Sequence, residues 1–342
     1  MSDYIDPHDQ HEETEEQVPR KRFRLFDSQR EGRGVTKEDK PITPDLGGFF
    51  RSFRRNFSKL LSVNLLTVVG NFPLLFAILA LTGLFKVQYM TPAGGYFADL
   101  RAMMLLDGAL DPATMALFGV QGVQIENSAM TTTSYVFFGL SLLTFLTFGF
   151  VKVGTTYIIR SLVRGEPAFM IADFKYAIKR NKKQAFFYGM VDLLLLLLIP
   201  FNIIVLLETT GNLLTSIIFW FNVVFAILYL FMRPYIYLQM ITFDLKITKI
   251  IKNSFLFALL GAKRNIMALL GNILLFGLVF FFIFGIGGAL LFLGIALPLV
   301  ALFSFGSYMH AFAAWYKIKE IMIDPQGLDE DAPPELSEVE AE

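Results

Sequence analysis

Three ionisable side chains stand where the surrounding sequence is almost wholly apolar: Lys152, Asp192 and Arg233. A charge inside a bilayer-length apolar run is costly, so such residues mark an ion pair, a proton- or ligand-sensitive polar site, or a lock on helix register. Lys152 lies eight residues before Arg160, and Asp192 eight residues after Gln184. At ~1.5 Å of rise per residue, both sit ~12 Å in from the basic edges of their segments. Matching depth on consecutive antiparallel spans predicts a Lys152–Asp192 ion pair, with Arg233 as a second partner for Asp192. The structural alternative is a pair that only fixes register, or a Lys152 stem that snorkels to the interface. Asn64, Asn71, Asn202, Asn222, Gln239 and Asn272 add amides suited to interhelical hydrogen bonds. Gly70-Asn71-Phe72-Pro73 is a candidate break in the first span, of the kind that forms half-helix sites in transporters.

The elements that carry these residues follow from composition. The chain has 342 residues, 54% hydrophobic and 18% charged, with a mean hydropathy of +0.54. Its apolar residues come in runs near the ~20 needed to cross a ~30 Å hydrocarbon core. Six spans are expected, at about 60–85, 134–160, 185–207, 213–243, 266–284 and 289–311, with kinks at Pro234 and Pro298. They make an all-α polytopic bundle over 46–323. A charged tail (1–45) and an acidic tail (324–342) read as disordered. Residues 86–133 form an outer insertion too irregular to span. The opening residues hold no apolar h-region, so the first span is expected to act as the insertion signal. Trp220 and Trp315 are expected near the interfaces.

Basic residues set the orientation. Arg54 and Arg55 precede the first span, Arg164, Lys179, Arg180, Lys182 and Lys183 the third, and Lys263 and Arg264 the fifth. The opposite connections carry only Lys86 and Arg101. The positive-inside rule then places both termini in the cytoplasm and 86–133 outside. Each basic cluster lies in or beside an amphipathic stretch: Leu46, Phe49, Phe50, Phe53 and Phe57; Met170, Phe174, Ala177 and Ile178; and residues 244–264 with Lys246, Lys249 and Lys252. These read as interfacial helices, apolar side in the acyl boundary and cations toward anionic headgroups. Arg54-Arg55-Asn56, Lys179-Arg180-Asn181 and Lys263-Arg264-Asn265 recur at the same place, so the chain reads as three hairpins, each prefaced by such a helix. Helix caps and the charge rule account for the recurrence equally well.

Several chemistries lack their residues. There is no cysteine, hence no disulfide or thiolate metal site. No phosphate loop, His-Glu-x-x-His or nucleophile elbow occurs. His8 and His11, close together in the tail, are too few for a firm metal site. The basic stretches lack nucleic-acid-binding architecture. The expectation is therefore a non-enzymatic protein without cofactor. A membrane enzyme acting on lipid or glycan lacks its catalytic constellation.

With the loops placed, the chain resembles the YesL-like family of bacterial membrane proteins over 46–323, apart from the outer insertion. The resemblance runs through Gly48-Phe49-Phe50, Asn64-Leu65-Leu66 and Pro73, then Gly154-Thr155-Thr156 and Arg164-Gly165-Glu166. It continues with Asp173-Phe174, Lys179-Arg180-Asn181, Gln184, Arg233-Pro234, Phe243-Asp244 and Tyr316. It implies a bacterial plasma-membrane protein beside carbohydrate ABC transporters, in an accessory or regulatory role in sugar uptake. Expected partners are the transporter subunits, anionic lipid and a second copy of the chain. The long outer segment departs from the family's shorter pattern. A stand-alone transporter with Lys152, Asp192 and Arg233 lining its path is the alternative.

Overall fold

The computed structural model describes residues 42–92, 124–209, 211–285 and 291–326. The expectations for the tails (1–41 and 327–342, with His8 and His11), for 93–123 of the outer segment and for the turn at 286–288 lie outside the described residues.

The first helix begins where a side chain can satisfy its free N–H groups. Asp45 is extended and its carboxylate accepts the Gly48 N–H at 2.8 Å, while the Thr43 hydroxyl also donates to it. From there α1 (Leu46–Gly70) runs without interruption through Asn56. It ends at Asn71, and α2 (Pro73–Leu81) starts with proline in its first turn, where the missing N–H costs nothing. The two axes meet at 69°. The expected first span is thus a bent pair broken at Gly70–Pro73, as the sequence allowed. An antiparallel strand pair follows, β1 (Lys86–Pro92) against β2 (Gln124–Met130), with Lys86 opposite Met130 and Pro92 opposite Gln124. The Phe85 carbonyl closes its base by accepting the hydroxyls of Thr131 (2.6 Å) and Ser134 (3.1 Å).

The rest is helical. α3 (Thr132–Ser141) leads into α4 (Thr144–Arg164), which ends on Gly165 at φ 82°, a left-handed conformation open to glycine. α5 (Met170–Glu208) joins the second expected interfacial helix to its span, with only Asn181 leaving helical geometry. Its 39 residues amount to ~58 Å, about twice a hydrocarbon core. An Asn212–Thr215 capping box starts α6 (Leu213–Thr242), which continues through Pro234 where a break was expected. α7 (Ile247–Leu260) is separate, stopping at Gly261 before α8 (Ala262–Phe280). The last span is α9 (Leu291–Leu297), a π-turn at Pro298–Leu302 and α10 (Phe303–Ile318).

Five helical segments are long and apolar enough to cross a membrane, or six if α1 and α2 count as one span. Only 6–33% of the most apolar window of each of the five is buried within the protein. So much exposed Leu, Ile and Phe is unsuited to water and fits a multi-pass membrane protein. Burial concentrates instead at the basic ends of the helices, where Ile158–Val163, Tyr235–Ile241 and Ala311–Trp315 meet.

That core takes part of each stretch expected to be an interfacial helix. Phe49 and Phe53 pack on Phe305, Tyr308 and Phe312, and Ser52 bonds the Tyr308 hydroxyl at 2.6 Å. Phe174 lies where a Cβ on Gly154 would stand, and Ala177 is fully buried. Ile250, Ser254 and Phe257 of α7 are buried as well. The apolar faces are thus shared: these residues lie against other helices, while Leu46, Phe50 and Phe57 of the first stretch, Ile171 of the second and Phe255 and Leu256 of α7 stay exposed. Trp220 is exposed, and Trp315 is buried at 3% at the basic helix ends, beneath the Arg160 and Arg164 guanidinium groups.

Candidate functional site

α4 and α5 form the most extensive helix contact, and glycine makes it close. A Cβ on Gly149 or on Gly189 would fall on the other helix's backbone. Such small-residue crossings replace the hydrophobic drive that is missing between helices in lipid. Lys152 and Asp192 each follow one of these glycines by three residues, so the crossing holds both at one level.

They do not pair. Asp192 is fully buried and faces α6, where Arg233 Nε donates to both carboxylate oxygens at 2.6 and 2.9 Å. The Tyr229 hydroxyl donates to Oδ1 and the Tyr237 hydroxyl to Oδ2, each at 2.6 Å. Every oxygen thus has two donors, and the carboxylate is saturated. Rise per residue fixed the depth of Lys152 and Asp192 correctly, but azimuth about the axis decides which neighbour a side chain meets.

Lys152 instead lines a cavity of about 860 Å³ between α4, α6, α8 and α10. Arg233 and His310 line it with Lys152, and Thr156 and Ser307 add hydroxyls. The α8 side carries one amide, Asn272, and is mainly apolar, with Ile273, Phe276 and Phe280. Those three side chains, with Leu230 and Phe303, are also exposed on the protein's outer surface, so the cavity has an apolar rim. Among the described residues Arg233 makes hydrogen bonds only through Nε, and its buried Nη2 has no acceptor. The Phe148 and Tyr237 rings flank the guanidinium at 5.7 and 5.9 Å. No hydrogen bond or ion pair to the Lys152 ammonium is present among the described residues. With Lys152 protonated, two cations stand against the single carboxylate of Asp192 beside the cavity.

The remaining candidates divide. Asn71 donates to Thr67 O in its own helix at 2.9 Å and lies away from the cavity. Asn64 does bridge helices: it donates to Pro298 O and Leu299 O at 3.0 and 2.8 Å and accepts from Ser304 N at 3.0 Å, repairing the π-turn in the last span. Gln239 reaches Ser254 of α7 at 3.0 Å. Asn272 donates mainly within its own helix, Asn222 does so too, and Asn202 is exposed. Arg54, Arg55, Lys179, Arg180, Lys182, Lys183 and Lys263 are exposed, as a headgroup-facing set requires. Arg164 pairs with Glu166 at 2.8 Å, and Arg264 lies 3.7 Å from Glu320, so both also serve the fold. No group of three or more His, Asp or Glu fit to hold a metal ion occurs among the described residues.

Sequence reasoning missed His310, Tyr229 and Tyr237. A signal for the tyrosines was present, since Tyr229, Arg233 and Tyr237 recur every four residues on one helix face. His310 is the one histidine outside the opening tail, which marks it, but nothing local ties it to Lys152 or Arg233. No protein-family model, curated protein or solved structure matches the chain.

Proposed function

We propose that the chain is a non-enzymatic multi-pass protein of a bacterial plasma membrane that takes a ligand into the cavity between α4, α6, α8 and α10, as a carrier or receptor does. Its basic ends face the cytoplasm under the positive-inside rule. One observation carries the reading: a space of about 860 Å³, within the ~300–1,000 Å³ usual for small-molecule sites, bordered by Lys152, Arg233 and His310 inside an otherwise apolar bundle. Intramembrane charge is retained at ligand and ion sites because elsewhere it only costs stability. The saturated Asp192 acts as the anchor that holds Arg233 in place.

Because the chain has no cysteine, Ser307→Cys introduces a single thiol on the cavity wall. In folded protein that thiol is expected to react with a small maleimide, and the reaction to slow when the cavity is filled. A thiol that reacts only after unfolding would overturn the reading.

A second reading, accessory to a carbohydrate ABC transporter, comes from the YesL-like resemblance. The exposed cations Lys179, Arg180, Lys182 and Lys183 on α5 favour it, as a surface for a partner's acidic face. Gentle co-purification from the native host tests it: stoichiometric transporter subunits support it, and purification alone removes its support.

A further inference from the structure

We propose that the occupant of this cavity is a phospholipid of net negative charge, its anionic headgroup against Lys152, Arg233 and His310 and one acyl chain along α8. The proposal rests on the cavity being a ligand site, and it names the ligand's class and its route of entry.

Charge gives the first reason. With Lys152 protonated, Arg233 and Lys152 stand against the single carboxylate of Asp192, and a phosphodiester supplies the one missing negative charge. An uncompensated cation in a low-dielectric bundle is expensive, so the anion stabilises the protein as the protein binds the anion. Geometry gives the second. Arg233 spends only Nε on Asp192, which leaves the N–H groups of both terminal nitrogens for an acceptor with several oxygens. A guanidinium fork matches phosphate oxygens, and a lysine ammonium adds a compact second charge.

The walls give the third. The lining combines Lys152, Arg233 and His310 with a mainly apolar stretch of α8, Ile273, Phe276 and Phe280, where Asn272 is the single amide. A lipid covers both surfaces at once. Since Ile273, Phe276 and Phe280 are exposed on the outer face of the bundle, the ligand enters sideways from the bilayer and not through an aqueous channel. The headgroup then sits at the level of Lys152, deeper than the exposed cations of α5, so this lipid is distinct from any attracted to the surface.

The test uses the full chain in detergent with a photo-crosslinking phosphatidylglycerol that carries a diazirine in one acyl chain, and the matching phosphatidylcholine as comparison. Crosslinks to the α8 peptide containing Phe276 and Phe280 are expected from phosphatidylglycerol, competed by unlabelled phosphatidylglycerol. Lys152→Gln is expected to lower that crosslink by about tenfold, the loss of one charge-assisted contact. Lys182→Gln with Lys183→Gln, which alters only surface charge, leaves it unchanged. If Lys152→Gln does not fold, Gly277→Leu replaces it. Gly277 lines the cavity and a Cβ there meets nothing within 4 Å, so the new side chain fills the space and expels the acyl chain.

Equal crosslinking by phosphatidylcholine, or a signal that neither Lys152→Gln nor Gly277→Leu reduces, would overturn the proposal. Competition by millimolar inorganic phosphate as strong as that by lipid would assign the site to a free anion and overturn the lipid source. A reactive thiol in Ser307→Cys combined with any of these failures leaves the cavity standing and removes only its lipid; an unreactive thiol removes both.

Discussion

Replacing Arg233 by Met keeps a long apolar stem and removes the charge that faces Asp192. The carboxylate is fully buried, and its remaining donors would be the hydroxyls of Tyr229 and Tyr237. Two phenols cannot replace a cation, and breaking a buried pair from one side costs about 3–5 kcal/mol. Tyr229→Phe is milder: Oδ1 keeps Arg233 Nε at 2.6 Å, so the loss is one hydrogen bond to a charged group, about 1.5–3 kcal/mol. Asp192→Asn strands the guanidinium and is expected to cost as much as Arg233→Met. In the double variant the amide still bonds one tyrosine through its oxygen and the other through its NH₂, and neither member of the former pair is left as a stranded charge. Its cost is therefore expected to fall below either single change, a coupling of at least about 2 kcal/mol. The assay is reversible unfolding in mixed micelles, followed by the emission of the buried Trp315. Single costs that simply add in the double variant, or an Arg233→Met within about 1 kcal/mol of the parent, would refute the saturated-carboxylate account.

Three further outcomes follow from the geometry. Gly189→Leu pushes α5 off the Gly149 backbone and is expected to abolish recovery of monodisperse protein, whereas Gly139→Ala, with nothing near its Cβ, leaves size-exclusion profiles unchanged. Asn64→Leu frees the Pro298 and Leu299 carbonyls and the Ser304 N–H at a fully buried position, costing about 3 kcal/mol or more in the same unfolding assay. At the start of α1, the Thr43 hydroxyl first and the Gly48 N–H second hold the Asp45 carboxyl below its ordinary value of 3.8. A lowered folded value means that its support for the helix is present above pH 3.8 and is lost as pH falls through the lower value. Gly48 amide exchange, corrected for its intrinsic rate, is expected to lose protection there, and Asp45→Asn to flatten that dependence.

Particular residues show why some features were legible in the sequence. Pro73 and the Gly70-Asn71 pair marked the break in the first span because proline in a helix interior removes a donor wherever it stands. Arg164-Gly165-Glu166 resolves into a left-handed cap, and its neighbour Asp173 accepts the Phe169 N–H at 2.7 Å. Such effects are local, settled within a turn or two of chain. At Pro234 the chain does not break: α6 stays helical across it, with Tyr235–Ile241 buried in the bundle just beyond. The amphipathic stretches fall on helices as expected, yet their apolar faces divide between the bundle, as at Phe53 and Ala177, and exposed positions, as at Leu46 and Phe50. Periodicity shows that a face exists and does not say what covers it.

The sequence by itself determined that this chain is a helical membrane protein, where its apolar segments lie, which ends are basic, and that Lys152, Asp192 and Arg233 stand in apolar segments at cost. Hydropathy and charge act residue by residue, so they can be read along the chain. Tertiary structure alone decided that Asp192 spends its charge on Arg233, Tyr229 and Tyr237, and that Lys152 meets His310 and Arg233 across a cavity. Those choices depend on how α4, α5, α6 and α10 are rotated against one another. A glycine contact between Gly149 and Gly189, far apart in sequence, sets that rotation at the closest crossing in the bundle.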